Sequence, residues 1–191
     1  MRSDMIREVT REETTIIRRE FNKWGIFNYL NDKVFALKEC KNSVKSIFII
    51  PLILKKLIFN PYSCYGGLQI GTFQKKKFIP SITFFDIVAK YSNNFLYIIV
   101  DCNGEKLILY GRDIFGNSIL YASENIEENS IILILNKSKE LLGIGRARFH
   151  TTKIKENGKV TITTLLDIGT YLRSENHQNK TITFDKKNVT R

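Results

Sequence analysis

Five cations fall between positions 146 and 159, Arg146, Arg148, Lys153, Lys155 and Lys159, with Glu156 the one acid among them. Arginine forks match phosphate oxygens and stack on unpaired bases, so this grouping suits a polyanion. Strand alternation predicts Arg146 and Arg148 on one face, with Ala147 and Phe149 on the other. Just upstream, Gly143 and Gly145 have no side chain to hold a ribose-phosphate or another backbone away, so a strand containing them can be approached closely. The competing reading is an edge strand guarded by solvated charge against aggregation. A second basic site, Lys75-Lys76-Lys77, either extends the phosphate track, docks a partner, or is a solvated loop.

Catalytic chemistry is poorly supplied. His150 and His177 are the only histidines, and neither stands near a cysteine or carboxylate at ligand or triad spacing. Gly143-Ile144-Gly145 is followed by no further glycine at dinucleotide or P-loop spacing. Asp101 and Asp113 are isolated acids, read as structural. Cys40, Cys64 and Cys102 are odd in number and lack a C-x-x-C pair, which argues against a disulfide framework or zinc site and fits a reducing cytoplasm. No catalytic residue, metal or cofactor is therefore expected, and the chain reads as a non-enzyme.

Thirty Lys and Arg oppose nineteen Asp and Glu, a formal charge of +11. That balance favours a nucleic acid or an acidic membrane surface as partner. The most apolar stretch, Ile47 to Phe59, is too short for a membrane span and contains Lys55 and Lys56, so no membrane partner is expected. The start mixes acids and bases and does not read as a secretory signal. With 43% apolar residues, thirteen Phe and eight Tyr, most of the chain has enough apolar surface to fold.

The elements that position these residues follow from periodicity. Thr10 with Glu13 predicts a capping box and a helix over 11–24, ended by Gly25. Strands are predicted over Ile26 to Leu30 and Val34 to Lys38, joined by an Asn31-Asp32 turn, and over Ser46 to Ile50. Pro51 is read as the first turn of a mostly buried helix through Ile58. Strands Leu68 to Phe73 and Phe78-Ile79, a helix from Thr83 to Tyr91 and a strand from Phe95 to Val100 complete the first half. Asp101-Cys102-Asn103-Gly104 is read as a polar turn and the domain boundary. Beyond it, strands are expected over Lys106 to Tyr110, Ile119 to Ala122, Ser130 to Leu135, Leu141 to Phe149 and Lys159 to Thr163, as in a small barrel. A helix from Leu165 to Leu172 and a polar tail follow.

Three stretches of the second half, LYGRDIFGNSI (109–119), LLGIGRARF (141–149) and LLDIGTYLR (165–173), resemble PUA domains, which are RNA-binding pseudo-barrels. In the first half, GGLQIGTFQKKKFIPSITFFDIVAKYSNNFLYIIV (66–100) and the opening T-x-E-E helix resemble the pre-PUA domain of the Nip-seven family of large-subunit ribosome-biogenesis factors. The resemblance covers about residues 6 to 175. It implies an α+β chain: a pre-PUA α/β domain over 1–103, a PUA β-pseudo-barrel over 104–175 and a tail over 176–191. It also implies binding to single-stranded segments of pre-rRNA and association with large-subunit precursors and other assembly or RNA-processing factors. The expected location is cytoplasmic, or nucleolar in a eukaryote. In the family, basic residues just after the glycine pair bind RNA, and Arg146, Arg148, Lys153, Lys155 and Lys159 fall in that window. Gly111, Arg112 and Gly116 lie where other PUA domains form a loop beside RNA; both glycines also suit turns. The rival reading is an accessory subunit or scaffold for an RNA-modifying or RNA-processing enzyme, since PUA domains also occur attached to such enzymes.

Overall fold

The computed structural model describes residues 6–39, 44–59 and 66–173, and two compact units divide between Asn94 and Phe95. The first unit begins with β1 (Ile6–Glu8) and α1 (Arg11–Lys23). Thr10 and Glu13 form the expected capping box: the Thr10 hydroxyl accepts from Glu13 N–H at 3.2 Å, and the Glu13 carboxylate accepts from Thr10 N–H at 2.8 Å. Gly25, at φ +69°, ends the helix. Its N–H donates to Asn22 O and that of Ile26 to Phe21 O, a Schellman closure that the left-handed glycine permits.

Next come β2 (Lys33–Glu39), β3 (Lys45–Pro51), α2 (Lys55–Ile58), β4 (Leu68–Gln74), β5 (Lys77–Pro80) and α3 (Ile82–Tyr91). The strands pair antiparallel in sequence order. An aromatic core joins α1, α3 and one face of the sheet, with Phe21 edge-on to Phe84 at 5.1 Å and Phe78 5.9 Å from Phe84. Ala36, Phe48 and Ile50 form a smaller cluster with Ile58 of α2. The uninterrupted Ile47-Phe48-Ile49-Ile50 run thus buries alternate residues on opposite sides of its strand.

The second unit contains β6 (Tyr97–Val100), α4 (Cys102–Leu109), β7 (Ile114–Phe115), β8 (Ile119–Ala122), β9 (Ile131–Leu135), β10 (Leu141–Ala147), β11 (Val160–Asp167) and α5 (Thr170–Arg173). Strand order is β7-β11-β10-β9-β6-β8, and β6 and β9 are its one parallel pair. This twisted, nearly closed sheet wraps a core that includes Ile98, Val100, Ile108, Ile132, Ile134 and Ile162. The architecture is the expected α+β arrangement.

Several local expectations are corrected. Ile26 to Leu30 is not a strand but contains a 3-10 turn over Phe27–Leu30, whose continuation Asn31 N–H donates to Asn28 O. The Leu52 to Ile58 segment is not mostly buried: Ile53 is 89% and Leu57 67% exposed, and Ile58 alone of its apolar residues is buried. Ser81 rather than Thr83 precedes α3, and its hydroxyl donates to Gln69 O instead of capping the helix. The Asp101–Gly104 turn is the start of α4, because Asp101 Oδ1 accepts from Gly104 N–H at 2.8 Å. Lys106 to Leu109 is therefore helical rather than extended. The boundary anticipated at 103/104 falls inside α4, while β6 pairs within the second sheet and places the division before it. The helix expected from Leu165 is shorter, because β11 runs on to Asp167. The tail over 176–191 lies outside the described residues.

Candidate nucleic-acid interface

β10 lies between β9 and β11, so the basic run does not leave an edge strand. Ala147 belongs to the core, and Arg148 Nε donates at 2.8 Å to Oγ1 of Thr163, the cross-strand partner of Arg146. The two arginines therefore share a face, as alternation predicts. Gly143 and Gly145, by contrast, are not open to a ligand. A Cβ on Gly143 would fall 2.4 Å from Leu166 O and 2.8 Å from Ile108 Cδ1, and one on Gly145 2.3 Å from Ile162 Cγ2. The close approach they allow is that of β11 and α4, which corrects the expectation of contact with a ribose-phosphate.

Arg148 is tied into the fold. Its Nη2 donates to Asp113 Oδ2 at 2.7 Å; Asp113 Oδ1 accepts from Thr164 N–H at 3.0 Å, and the Thr164 hydroxyl donates to Arg112 O at 2.7 Å. This network fixes the Arg112-Asp113 backbone against β11 and leaves the Arg112 side chain exposed. Arg146 is half-buried, and its Nε is buried without a hydrogen-bond partner among the described residues. An unpaired buried donor carries a desolvation cost that an acceptor would relieve.

The loop after β10 brings in the lysines. Lys153 is exposed on a 3-10 turn, Lys155 Nζ donates to Leu120 O at 2.7 Å, and Lys159 Nζ pairs with Glu156 Oε1 at 2.6 Å. Gly116 docks this loop on the segment after α4. Its N–H donates to Lys159 O, and a Cβ there would meet Glu156 O at 2.3 Å.

That segment and the exposed side of α4 enclose a groove of about 410 Å³, lined among others by Lys106, Tyr110, Arg112, Phe115, Asn103 and Asn117. No carboxylate lines it. Cations, exposed rings and amides together offer phosphate pairing, stacking and base-edge hydrogen bonds. Of these residues the sequence pointed only to Arg112. Lys106, Tyr110 and Phe115 converge because 106–109 is helical, and the Asp101 cap signal was the one available clue.

The C-terminal motif holds the groove's helix in place. Gly111, at φ +69°, closes α4 with Arg112 N–H donating to Leu107 O. Asp167, 7% exposed at its side chain, accepts two bonds from Arg173 Nη2 at 2.7 and 2.8 Å, while Arg173 Nη1 donates to Leu109 O at the end of α4. Asp167 is also paired in register with Gly143. The 109–119, 141–149 and 165–173 motifs therefore meet at one junction.

Residues 6–82 match the NIP7/UPF0113 pre-PUA domain and residues 96–176 the UPF0113 PUA domain. A UPF0113 protein of Archaeoglobus fulgidus is 32% identical over 183 residues, 93% of this chain and 98% of that relative. The chain belongs to the NIP7/UPF0113 family. A tRNA-guanine(15) transglycosylase of Methanosphaera stadtmanae is 33% identical over 76 residues, which is 37% of this chain and 11% of that enzyme. Among solved structures, a conserved PUA domain protein from Thermoplasma acidophilum is similar with a TM-score of 0.62 at 18% identity, covering 88% of this chain and 98% of that one. A PUA domain protein from Aeropyrum pernix gives 0.58 at 10% identity, covering 87% and 88%. The groove and the basic loop both lie in the PUA domain.

The second predicted basic site is the β4–β5 turn of the pre-PUA domain. Gln74 pairs with Lys77, which leaves Lys75 and Lys76 as a two-residue loop with both φ positive, at 46° and 62°. All three lysines are exposed. His150 is exposed and Cys102 is free and exposed, while His177, Cys40 and Cys64 lie outside the described residues. Among the described residues no group of three or more His, Cys, Asp or Glu is placed to hold a metal, and no helix is long and apolar enough to cross a membrane.

Proposed function

We propose that this protein is a non-catalytic RNA-binding factor that takes single-stranded segments of pre-rRNA on its PUA domain during maturation of the large ribosomal subunit, in the cytoplasm, or in the nucleolus of a eukaryote. The observation that carries the reading is the carboxylate-free groove with Lys106, Arg112, Tyr110 and Phe115 on its walls, next to the loop of Lys153, Lys155 and Lys159. Arg146 and Arg148 continue the basic surface, and Lys75, Lys76 and Lys77 supply a weaker second contact on the pre-PUA domain. Gly143 and Gly145 act by letting β11 and α4 close on β10.

The test is binding to a labelled single strand across a salt series. Each phosphate contact on a single strand contributes about −0.7 to the slope of log affinity against log salt. The triple variant K153A/K155A/K159A should lower the slope's magnitude by about 2 while its unfolding midpoint stays close to wild type. Wild-type affinity and slope in the triple variant would remove the loop from the interface. The ribosomal assignment is tested separately, by co-sedimentation with large-subunit precursors and its absence from mature ribosomes.

A second reading is favoured by the match to the transglycosylase: the PUA domain targets an RNA-modifying enzyme that this chain joins as a subunit. Co-purification with a modifying enzyme, and loss of one modified nucleoside on depletion, would select it.

A further inference from the structure

Edge strand β8 carries a bulge whose consequences reach its side chains. Val100 pairs with Ile119 and Ile99 with Tyr121, so Leu120 is an extra residue on β8. Side chains alternate along a strand, and Ile119 belongs to the core, so an unbulged strand would turn Tyr121 inward as well. The insertion moves Tyr121 to the side of Ile99, opposite Ile98 and Val100, and leaves it 45% exposed. There its ring lies 5.4 Å from that of Tyr97 at an interplanar angle of 34°, and Phe95 stands 5.6 Å beyond Tyr97. The same bulge leaves the Leu120 carbonyl to Lys155, whose Nζ donates to it at 2.7 Å. One distortion of one strand sets an aromatic pair outside the core and brings a cation beside it.

We infer that Tyr97 and Tyr121 form a stacking platform for an unpaired base of single-stranded RNA, with Lys155 taking the adjoining phosphate. The inference rests on the RNA-binding reading above and extends it to residues outside the groove. Lys155 spends one of its three donors on Leu120 and keeps two for a phosphate. A hydrogen bond with Tyr97 raises the Tyr121 phenol above its usual value, while the stacking surface is the pair of rings themselves. Stacking on aromatic side chains tolerates any base, because every base has a π-face.

The experiment compares wild type, Tyr121→Ala, Tyr121→Phe and Lys155→Ala for binding to a short uridylate oligomer and to an abasic oligomer of the same length, with unfolding midpoints recorded for each. Tyr121→Ala should weaken uridylate binding about tenfold and leave abasic binding unchanged, while Tyr121→Phe keeps wild-type affinity for both. Lys155→Ala should weaken both alike. If wild type binds both oligomers equally, or if Tyr121→Ala loses nothing on uridylate or loses equally on both, the platform is refuted while RNA binding stands. If wild type binds neither oligomer, the proposed function falls with it.

Discussion

Arg148 and Asp113 stand 2.7 Å apart in a half-exposed ion pair, and the same carboxylate receives the backbone N–H of Thr164. Arg148 is therefore not a free cation waiting for phosphate; it is shared between the fold and any ligand. Asp113→Asn keeps an oxygen for Thr164 and removes the competing charge. The expected outcome is tighter RNA binding, with the salt slope steeper by about 0.7 as Arg148 becomes fully available. Anisotropy titrations at several salt concentrations measure this. An unchanged slope would mean that Arg148 serves only to hold the Arg112-Asp113 backbone.

Glu13 supplies a pH signature in the other unit. Two hydrogen bonds from Arg7, each 2.9 Å, with help from Thr10 N–H, pull its carboxyl from 4.5 down to about 2. The folded state thus binds the proton more weakly than the unfolded state, and the stabilisation is complete above about 4.5 and is lost as pH falls toward 2. Glu13→Gln keeps the capping geometry but not the charge. It should cost about 1 kcal/mol at neutral pH and nothing near pH 2. Urea midpoints across this range decide it; a penalty that persisted at low pH would assign the effect to packing.

Gly143 separates structure from binding. A methyl group there meets two backbone atoms of β11, Leu166 O at 2.4 Å and Asp167 Cα at 3.1 Å, and the terminal methyl of Ile108, which is fully buried in the core. Gly143→Ala should destabilise the protein by about 2 kcal/mol, with the salt slope of RNA binding unchanged in the fraction that remains folded. A variant of wild-type stability with weakened RNA affinity would return the glycine to the interface.

These outcomes also mark where sequence patterning reads through and where it fails. The Thr10–Glu13 cap, the Val34 to Lys38 and Ser46 to Ile50 strands and the basic run are visible because each is specified by near neighbours or strict alternation. Lys106 to Leu109 reads as a strand because its apolar residues fit a short strand as well as a helical turn, and the Asp101 cap settles the matter only once its bond to Gly104 is seen. The Leu52 to Leu57 run looks buried by composition, yet only Ile58 is covered. Tyr121 falls in the expected Ile119 to Ala122 strand, but its face is not legible, since that depends on one extra residue in the pairing of β8 with β6.

The β4–β5 tip provides the last prediction. Lys75 and Lys76 both occupy the left-handed region, where a two-residue turn of this kind favours an asparagine-glycine pair and where a long side chain costs about 1 kcal/mol or more per residue. Both side chains are exposed, and among the described residues neither lysine has an ion-pair or hydrogen-bond partner. A turn that departs from its best local sequence is expected where the side chains serve another purpose. The double substitution K75N/K76G should therefore raise stability by about 1 kcal/mol, read as a higher unfolding midpoint. The same variant should weaken RNA binding and flatten the salt slope by about 1.4, less than the loss from the Lys153, Lys155 and Lys159 loop. Greater stability with an unaltered slope would leave the tip as a solvated turn and confine RNA contact to the PUA domain.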